Sequence, residues 1–333
     1  MSDTIDTDRP PRRMRLLSAV EKEPDWSTMT AEDLVAFRTA RNRKVESRLA
    51  RVITGRPDRG AAIEWQEVSL PGRRLKVRVH RPTGHGHQAD LPLVLHVHGG
   101  GFAGTAVQSD WVNSHLAARL PAVIISVEHR LLSPELPLTA AVDDGWDVLT
   151  HVAQHATRWG VDPARVAVFG ESCGALVVAL AAIRARTSGL PLRAQVLVNP
   201  CVDVTPKAFD HASMSQYADS PTLTRPHLQL FCRLAVPAGT DPRPLSPLHA
   251  SDLSGLTPAL VLVPTVDPVA DHGRRYAERL RAAGTPARLT EHRGATHGFL
   301  ATPGLVPQAK SARREIAEFL SGRLAGTQAQ GPR

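Results

Sequence analysis

The feature that most constrains this chain of 333 residues is the pentapeptide Gly-Glu-Ser-Cys-Gly at residues 170–174. A short apolar run typical of a β-strand precedes it (Val166–Phe169), and a longer apolar run of helix length follows it (Ala175–Ile183). Gly-x-Ser-x-Gly between a strand and a helix is typical of a sharp turn that exposes the serine hydroxyl. Glycines flank such a turn because larger side chains would collide with neighbouring backbone. We therefore predict that Ser172 projects above a sheet, at the N-terminal end of a helix.

Apolar runs on both sides of this turn predict a regular alternation of strands and helices. Five of the strands that this pattern predicts are short and apolar: Leu93–Val97, Ala122–Val127, Val166–Phe169, Ala194–Val198 and Ala259–Val263. The last predicted strand is Ala287–Glu291. Such alternation indicates a mostly parallel sheet with helices on both faces. Ahead of it, residues 75–80 alternate apolar and charged side chains, which predicts a strand with one exposed face that includes His80.

Two segments depart from the alternation. Residues 1 to about 24 are polar and are expected to be loosely docked, after which Thr30 caps a helix that runs to about Val52. Residues 200–256 are rich in Pro, Ser, Asp and Thr and are too long for a plain connection, so we predict a lid. The predicted division is a tail and cap helix, a first core part, an inserted cap segment, a second core part and a C-terminal tail: 1–55, 56–199, 200–256, 257–325 and 326–333.

Composition excludes several classes of protein. The formal charge is +8, but the arginines are scattered among acids and no stripe of basic and aromatic residues is present, so we predict no nucleic-acid partner. The odd number of cysteines (Cys173, Cys201 and Cys232), without a CxxC spacing, argues against a disulfide framework or a cysteine zinc site. Neither a signal peptide nor a membrane span is evident in the sequence, so we expect a cytoplasmic protein.

A serine hydroxyl needs a base to remove its proton, and the base needs an acid partner. Downstream of Ser172, Asp267 comes just after a buried strand, where a parallel sheet places its site. Asp271 is the competing acid, but it fits better as the N-cap of the next helix. His297 lies after the last strand and is the predicted base, whereas His292 lies at the end of that strand.

A glycine run follows the buried strand Leu93–Val97. In His98-Gly99-Gly100-Gly101-Phe102 the backbone amides can approach a ligand oxygen closely, because glycine has no side chain. This is the pattern of an HGGG-type loop that holds an oxyanion. A second glycine-rich stretch, Gly84–His87, has histidines spaced like a weak metal-binding tract, and we interpret it as a solvated turn.

These motifs resemble those of the hormone-sensitive-lipase-like branch of the α/β-hydrolases, the bacterial family IV esterases. The resemblance covers about residues 91–320 and includes the motifs His98–Phe102, Asp162–Gly170, Ser246–Leu248, Asp267–Pro268 and Thr296–Phe299. It implies an α/β-hydrolase fold with a helical cap, no metal or cofactor, and a homodimer as a further expectation.

The resemblance also implies roles for individual residues. Ser172 would be the nucleophile, His297 the base and Asp267 its partner. The backbone amides of Gly100, Gly101 and Cys173 would form the oxyanion hole, while His98 and Gly99 would shape the loop. The family's usual Gly-Asp-Ser-Ala-Gly-Gly is altered at several positions, so that Cys173 and Ala175 stand where the family has Ala and Gly. His129 stands where the family has Tyr.

The predicted function is that of a serine carboxylesterase acting on small-molecule esters through an acyl-enzyme on Ser172. Aromatic residues make up only 4% of the chain, which favours an aliphatic pocket and short- to medium-chain acyl groups. The cap matches the family poorly, so an acyltransferase, lactonase or amidase with the same triad is the alternative. A receptor without activity on this fold is disfavoured, because all three triad members are present.

Overall fold

In a computed structural model the chain is described over residues 9–20, 23–86 and 90–325. The main strands are β1 to β6, which are Ala61–Leu70, Arg73–Pro82, Leu91–Val97, Val123–Val127, Val161–Glu171 and Ala194–Val198. The short pair Asp219–Ser220 and Leu223–Thr224 (β7 and β8) follows, and then Ala259–Val266 and Ala287–Thr296 (β9 and β10). The helices α1 to α11 are Arg12–Val20, Ala31–Glu46, Arg51–Thr54, Asp110–Arg119, Leu138–Gln154, Ala156–Trp159, Cys173–Ser188, Ala212–Gln216, Arg225–Ala235, Ala270–Ala282 and Gln308–Leu324.

Eight strands form one sheet in the order β1-β2-β4-β3-β5-β6-β9-β10. All neighbouring pairs from β4 to β10 are parallel, and β2 runs antiparallel to both of its neighbours. The predicted mostly parallel sheet is confirmed. Because the carboxyl ends of parallel strands meet at one edge, the loops after β3, β5, β9 and β10 converge there.

Helices cover both faces of this sheet, as the strand-helix alternation predicts. Along β9, Val261 and Val263 join a buried cluster with helices α5, α7 and α10, while Leu260 and Leu262 join another with α4 and α11. Alternate residues of a strand point to opposite faces, so a strand buried on both sides is apolar throughout. None of the helices among the residues with described positions is long and apolar enough to cross a membrane.

The N-terminal segment is more ordered than its composition indicates. Residues 12–20 form α1, and the side chain of Met14 is only 2% exposed, in the cluster below α11. The expectation of a loose segment up to about residue 24 is therefore wrong for α1, while residues 1–8 and 21–22 lie outside the described ranges. Thr30 caps α2 as predicted, in a reciprocal capping box with Asp33.

Helix α2 ends at Glu46 rather than near Val52. Ser47 adopts an extended conformation, with φ −69° and ψ 149°, and its side chain caps a short turn at residues 48–50. A serine oxygen that accepts a backbone amide favours such a break over a continued helix. The chain then turns back through α3 toward the sheet.

One prediction about β2 is also wrong. The alternation of buried and exposed residues stops at Val79, and His80 is fully buried. Its Nε2 lies 2.9 Å from Oδ1 of Asp110, whose carboxylate also accepts two hydrogen bonds from Arg78. Burial would raise the pKa of Asp110, but the hydrogen bonds from His80 and Arg78 outweigh it and lower that pKa. A buried partner thus accommodates a residue type that is usually exposed.

Candidate active site

Ser172 lies at the turn between β5 and α7. Its backbone has φ 55° and ψ −119°, a strained conformation for a residue with a side chain. Gly174 follows within contact of the main chain of Val97, and a Cβ there would overlap the Val97 carbonyl oxygen. The glycine spacing is therefore required by close approach of the backbone, as predicted from the motif.

A continuous chain of hydrogen bonds joins Ser172, His297 and Asp267. The Ser172 Oγ lies 2.7 Å from Nε2 of His297, and Nδ1 of His297 lies 2.8 Å from Oδ2 of Asp267. Asp267 is fully buried, and its other oxygen accepts the amide of Val269. Because the carboxylate can only accept, Nδ1 carries the proton and Nε2 is free to accept the serine hydroxyl.

The competing candidates lie elsewhere. Asp271 accepts the amide of Ser213 at 2.9 Å and pairs with Arg274, and it makes none of the contacts of Asp267. It occupies the first turn of α10 rather than the N-cap, which is Val269, so that detail of the prediction is wrong. His292 packs against Phe299, with ring centroids 5.2 Å apart, and its Nε2 lies 3.7 Å from a carboxylate oxygen of Glu315.

The carbonyls of the glycine loop after β3 are held by hydrogen bonds to nearby groups. The Gly99 carbonyl accepts His98 Nδ1–H at 2.9 Å and Gln108 Nε2–H at 3.2 Å, and the Gly100 carbonyl accepts the Ala103 amide at 2.6 Å. In a trans peptide the N–H points opposite to the C=O. The amides of Gly100 and Gly101 are left free of these bonds and lie at the Cys173 sulfur, next to Ser172.

Cys173 lies among these amides. Burial raises the pKa of its thiol to about 12, although the amides of Gly101, Gly174 and Gly100 around the sulfur act in the opposite direction. The Cys173 amide is the first of helix α7, and such amides have no partner within their own helix. The Gly100 and Gly101 amides predicted for the oxyanion hole therefore lie at Cys173, whose own amide directly follows Ser172.

We expect Cys173→Ala to change kcat by less than about tenfold, because the variant keeps the backbone amide. The hydrogen bond that the thiol donates is weak, at 4.0 Å to the His98 carbonyl oxygen. Steady-state hydrolysis of p-nitrophenyl esters measures the effect. A loss of about 10²-fold or more, the size expected for removal of one oxyanion donor, would contradict this prediction.

His98 supports the loop from its first position. Its ring is fully buried and stacks on His129 with centroids 4.3 Å apart. Burial and the neighbouring His129 hold the pKa of His98 well below its usual value, so the ring is neutral. His129 Nε2 also lies 3.3 Å from the His98 carbonyl oxygen.

Aromatic side chains cover the loop from the inserted segment. A ring atom of Phe231, on α9, would lie 2.5 Å from a Cβ placed on Gly101, so no larger residue fits there. One turn earlier on α9, His227 stacks on Trp26 at 4.2 Å and lies 5.0 Å from Phe102. Burial lowers the pKa of His227 to about 3. This contact joins the inserted segment to the N-terminal segment.

Sequence analysis missed a group of polar side chains around Glu171, next to the turn at Ser172. The Ser109 hydroxyl donates to Oε1 of Glu171 at 2.9 Å, and His96 Nε2 lies 3.4 Å from the same oxygen. His96 in turn lies 2.7 Å from the Ser126 hydroxyl through Nδ1. A charged residue at the end of a buried strand is the signal that could have pointed to this network.

Within the described ranges, no group of three His, Cys, Asp or Glu side chains is placed to hold a metal ion. The Gly84–His87 stretch is only partly described, because His87 lies outside those ranges. His85 is exposed and directly follows the turn at residues 83–84.

A strained serine at the carboxyl edge of a mostly parallel sheet, joined to a histidine and a buried aspartate, defines an α/β-hydrolase. The sequence profile of the family described as alpha/beta hydrolase fold matches residues 94–301. The chain belongs to this family, in its hormone-sensitive-lipase-like branch.

Individual relatives agree with this assignment. The chain is 34% identical to the esterase LipI of Mycobacterium tuberculosis over 74% of this chain and 77% of the relative. It is 36% identical to the carboxylesterase NlhH of the same organism, over 75% and 79%. Among solved structures, the hyperthermophilic esterase of Pyrobaculum calidifontis superposes with a TM-score of 0.82 at 30% identity, covering 94% of this chain and 97% of the other.

Proposed function

We propose that this protein is a serine ester hydrolase that acts on small-molecule carboxylic esters through an acyl-enzyme on Ser172. The observation that carries the proposal is the hydrogen-bond chain from Ser172 through His297 to Asp267, at 2.7 and 2.8 Å. The esterases and carboxylesterases among its relatives support the reaction class.

In the proposed mechanism, Ser172 Oγ attacks the acyl carbon while His297 Nε2 takes its proton. Asp267 stabilises the imidazolium that forms. The amides of Gly100, Gly101 and Cys173 hold the developing oxyanion, and loss of a single such donor typically costs about 3–4 kcal/mol. His297 then protonates the departing alcohol. Water, activated by the same histidine, releases the acid and restores the serine.

The proposed division is an N-terminal segment (1–55) with a tail and the cap helix, an inserted cap segment (200–256), and a core of residues 56–199 and 257–325. Contacts between the N-terminal and inserted segments support this division, since Thr224 donates to Glu23 at 3.1 Å and Arg233 donates to the Trp26 carbonyl at 3.2 Å. The proposed tail 326–333 lies outside the described residues. Phe231 on Gly101 limits the space over the oxyanion loop, which favours short- and medium-chain acyl groups.

A panel of p-nitrophenyl esters from acetate to palmitate tests this specificity. We expect kcat/KM to be highest for acyl chains of two to eight carbons and to fall by at least about tenfold for palmitate. Product analysis in the presence of added alcohols and amines should yield only the free acid. Dominant transfer to an added acceptor would instead support the acyltransferase, and a maximum at palmitate would contradict the chain-length proposal.

We also propose a cytoplasmic location and a homodimer. The three cysteines are free in the structure, which fits a reducing compartment. Light scattering after size-exclusion chromatography measures the oligomeric state, and a mass near 35.9 kDa would contradict the dimer.

A further inference from the structure

We propose that Arg38, on helix α2, is a positioning residue that holds the oxyanion loop in its reactive shape. This inference rests on the proposed ester hydrolysis and adds to it a role for the N-terminal helix. In this role α2 does more than cover the site, because its side chains fix the backbone that surrounds the developing negative charge.

The guanidinium of Arg38 bridges two separate segments of the chain. Its Nε donates to the carbonyl of Phe102 at 2.8 Å, and its Nη2 donates to the carbonyl of Leu132 at 2.6 Å. Leu132 completes the link, because its amide donates to the carbonyl of Gly101 at 2.9 Å. The two peptide groups that flank Phe102 are therefore fixed from the same point.

The partner segment is itself held firmly. Arg130, two residues before Leu132, donates to the fully buried carboxylate of Asp144 at 2.9–3.1 Å from both its backbone and its side chain. Arg73 binds the same carboxylate at 2.9 Å. The glycines give the loop conformational freedom, and Arg38 connects that loop to a segment that is anchored in the core.

Helix α2 presents a stripe of residues to this loop at helical spacing. Leu34 is buried in the cluster that contains Phe102, Arg38 follows four residues later, and Asn42 follows after four more. The Asn42 side chain donates to the carbonyl of Gly104 at 2.9 Å. Residues four apart lie on one helix face, so the face contacts the loop over two turns.

Arg38 acts through hydrogen bonds to backbone carbonyls rather than through an ion pair. Burial lowers the pKa of its guanidinium, and no carboxylate from the described chain pairs with it. A planar guanidinium offers several donors in a fixed fork, whereas the ammonium of lysine is a compact point charge. Arginine therefore holds two carbonyls on different segments in register, and lysine would hold them less firmly.

Oxyanion stabilisation requires donors that are already in place before the reaction. If the hydrogen bonds of Arg38 are removed, the peptides that flank Phe102 gain freedom. The neighbouring amides of Gly100 and Gly101 must then be ordered at each turnover. That cost falls on the transition state, which carries the negative charge, more than on the bound ester. Loss of Arg38 should therefore lower kcat and leave KM nearly unchanged.

The experiment compares Arg38→Met, which keeps the length of the stem, with Arg38→Lys and with Arg43→Met. Arg43 is exposed on the same helix and serves as the matched control. We expect kcat for p-nitrophenyl butyrate to fall about 10- to 100-fold in Arg38→Met, less in Arg38→Lys, and to stay unchanged in Arg43→Met. KM should stay within about threefold of the wild type.

A trifluoromethyl ketone supplies a second readout, because its hemiketal oxygen occupies the oxyanion hole. Its inhibition constant should rise in Arg38→Met by the same factor by which kcat/KM falls. A rise in KM with unchanged kcat, or an unchanged inhibition constant, would overturn the proposal. If Arg38→Met does not fold, as judged by circular dichroism, the same readouts in Arg38→Lys decide. A wild type without esterase activity would refute the proposed function instead.

Discussion

The Ser172→Ala variant is expected to hydrolyse p-nitrophenyl butyrate with a kcat at least about 10⁴-fold below that of the wild type. Alanine keeps the backbone of the turn but removes the oxygen that lies 2.7 Å from His297 Nε2. Without that oxygen no acyl-enzyme forms, and only the oxyanion amides and substrate binding remain to accelerate attack by water. Steady-state kinetics with separately purified proteins measures the loss.

Ser311→Ala is the matched control, since Ser311 is exposed on α11, and its rate should equal that of the wild type. Intact-mass spectrometry after treatment with a fluorophosphonate provides an independent check. The wild type and the control should gain one label each, and Ser172→Ala should gain none. Undiminished turnover in Ser172→Ala would rule out the covalent mechanism.

Much of the fold and the triad can be predicted from sequence because both depend on local patterns. The strand before Ser172, the glycines around it and the helix after it lie within one short stretch. Asp267 and His297 can be ranked above their competitors by their position after a strand, since parallel strands bring their carboxyl ends together. The order of these residues along the chain is therefore enough to predict that they lie close together.

The parts that could not be predicted depend on contacts between distant segments. His80 is polar and completes an alternating pattern, so it is expected to be exposed, yet Asp110, 30 residues away, makes its burial favourable. Arg38 likewise contacts carbonyls 64 and 94 residues away. Every residue has a backbone carbonyl, so no pattern of side chains in the sequence indicates which carbonyls Arg38 contacts.

Composition was a poor guide to the surroundings of the loop. Aromatic residues are scarce, which favours an aliphatic pocket, but Trp26, Phe102 and Phe231 converge near the oxyanion loop with His227 among them. An average over the chain carries no information on where a few large side chains come together. The nature of the acyl pocket therefore has to be argued from contacts.

We expect Asp267→Asn to lower kcat about 10⁴-fold, although it changes a group that never touches substrate. The carboxylate accepts Nδ1–H of His297 at 2.8 Å and so leaves Nε2 unprotonated. An asparagine that donates its amide to Nδ1 favours the opposite tautomer, in which Nε2 carries the proton and cannot accept that of Ser172. Kinetics with p-nitrophenyl butyrate measures the loss.

Asp271→Asn is the control that separates this mechanism from a general effect of charge, because Asp271 lies only four residues away. Its carboxylate holds Ser213 and Arg274, so the variant should lose stability while its kcat stays within about tenfold of the wild type. Thermal unfolding measures the loss of stability, and steady-state kinetics measures kcat. Equal losses of kcat in both variants would mean that negative charge near His297, rather than a hydrogen bond to Nδ1, activates Ser172. A large loss in Asp271→Asn alone would transfer the role of acid partner to Asp271.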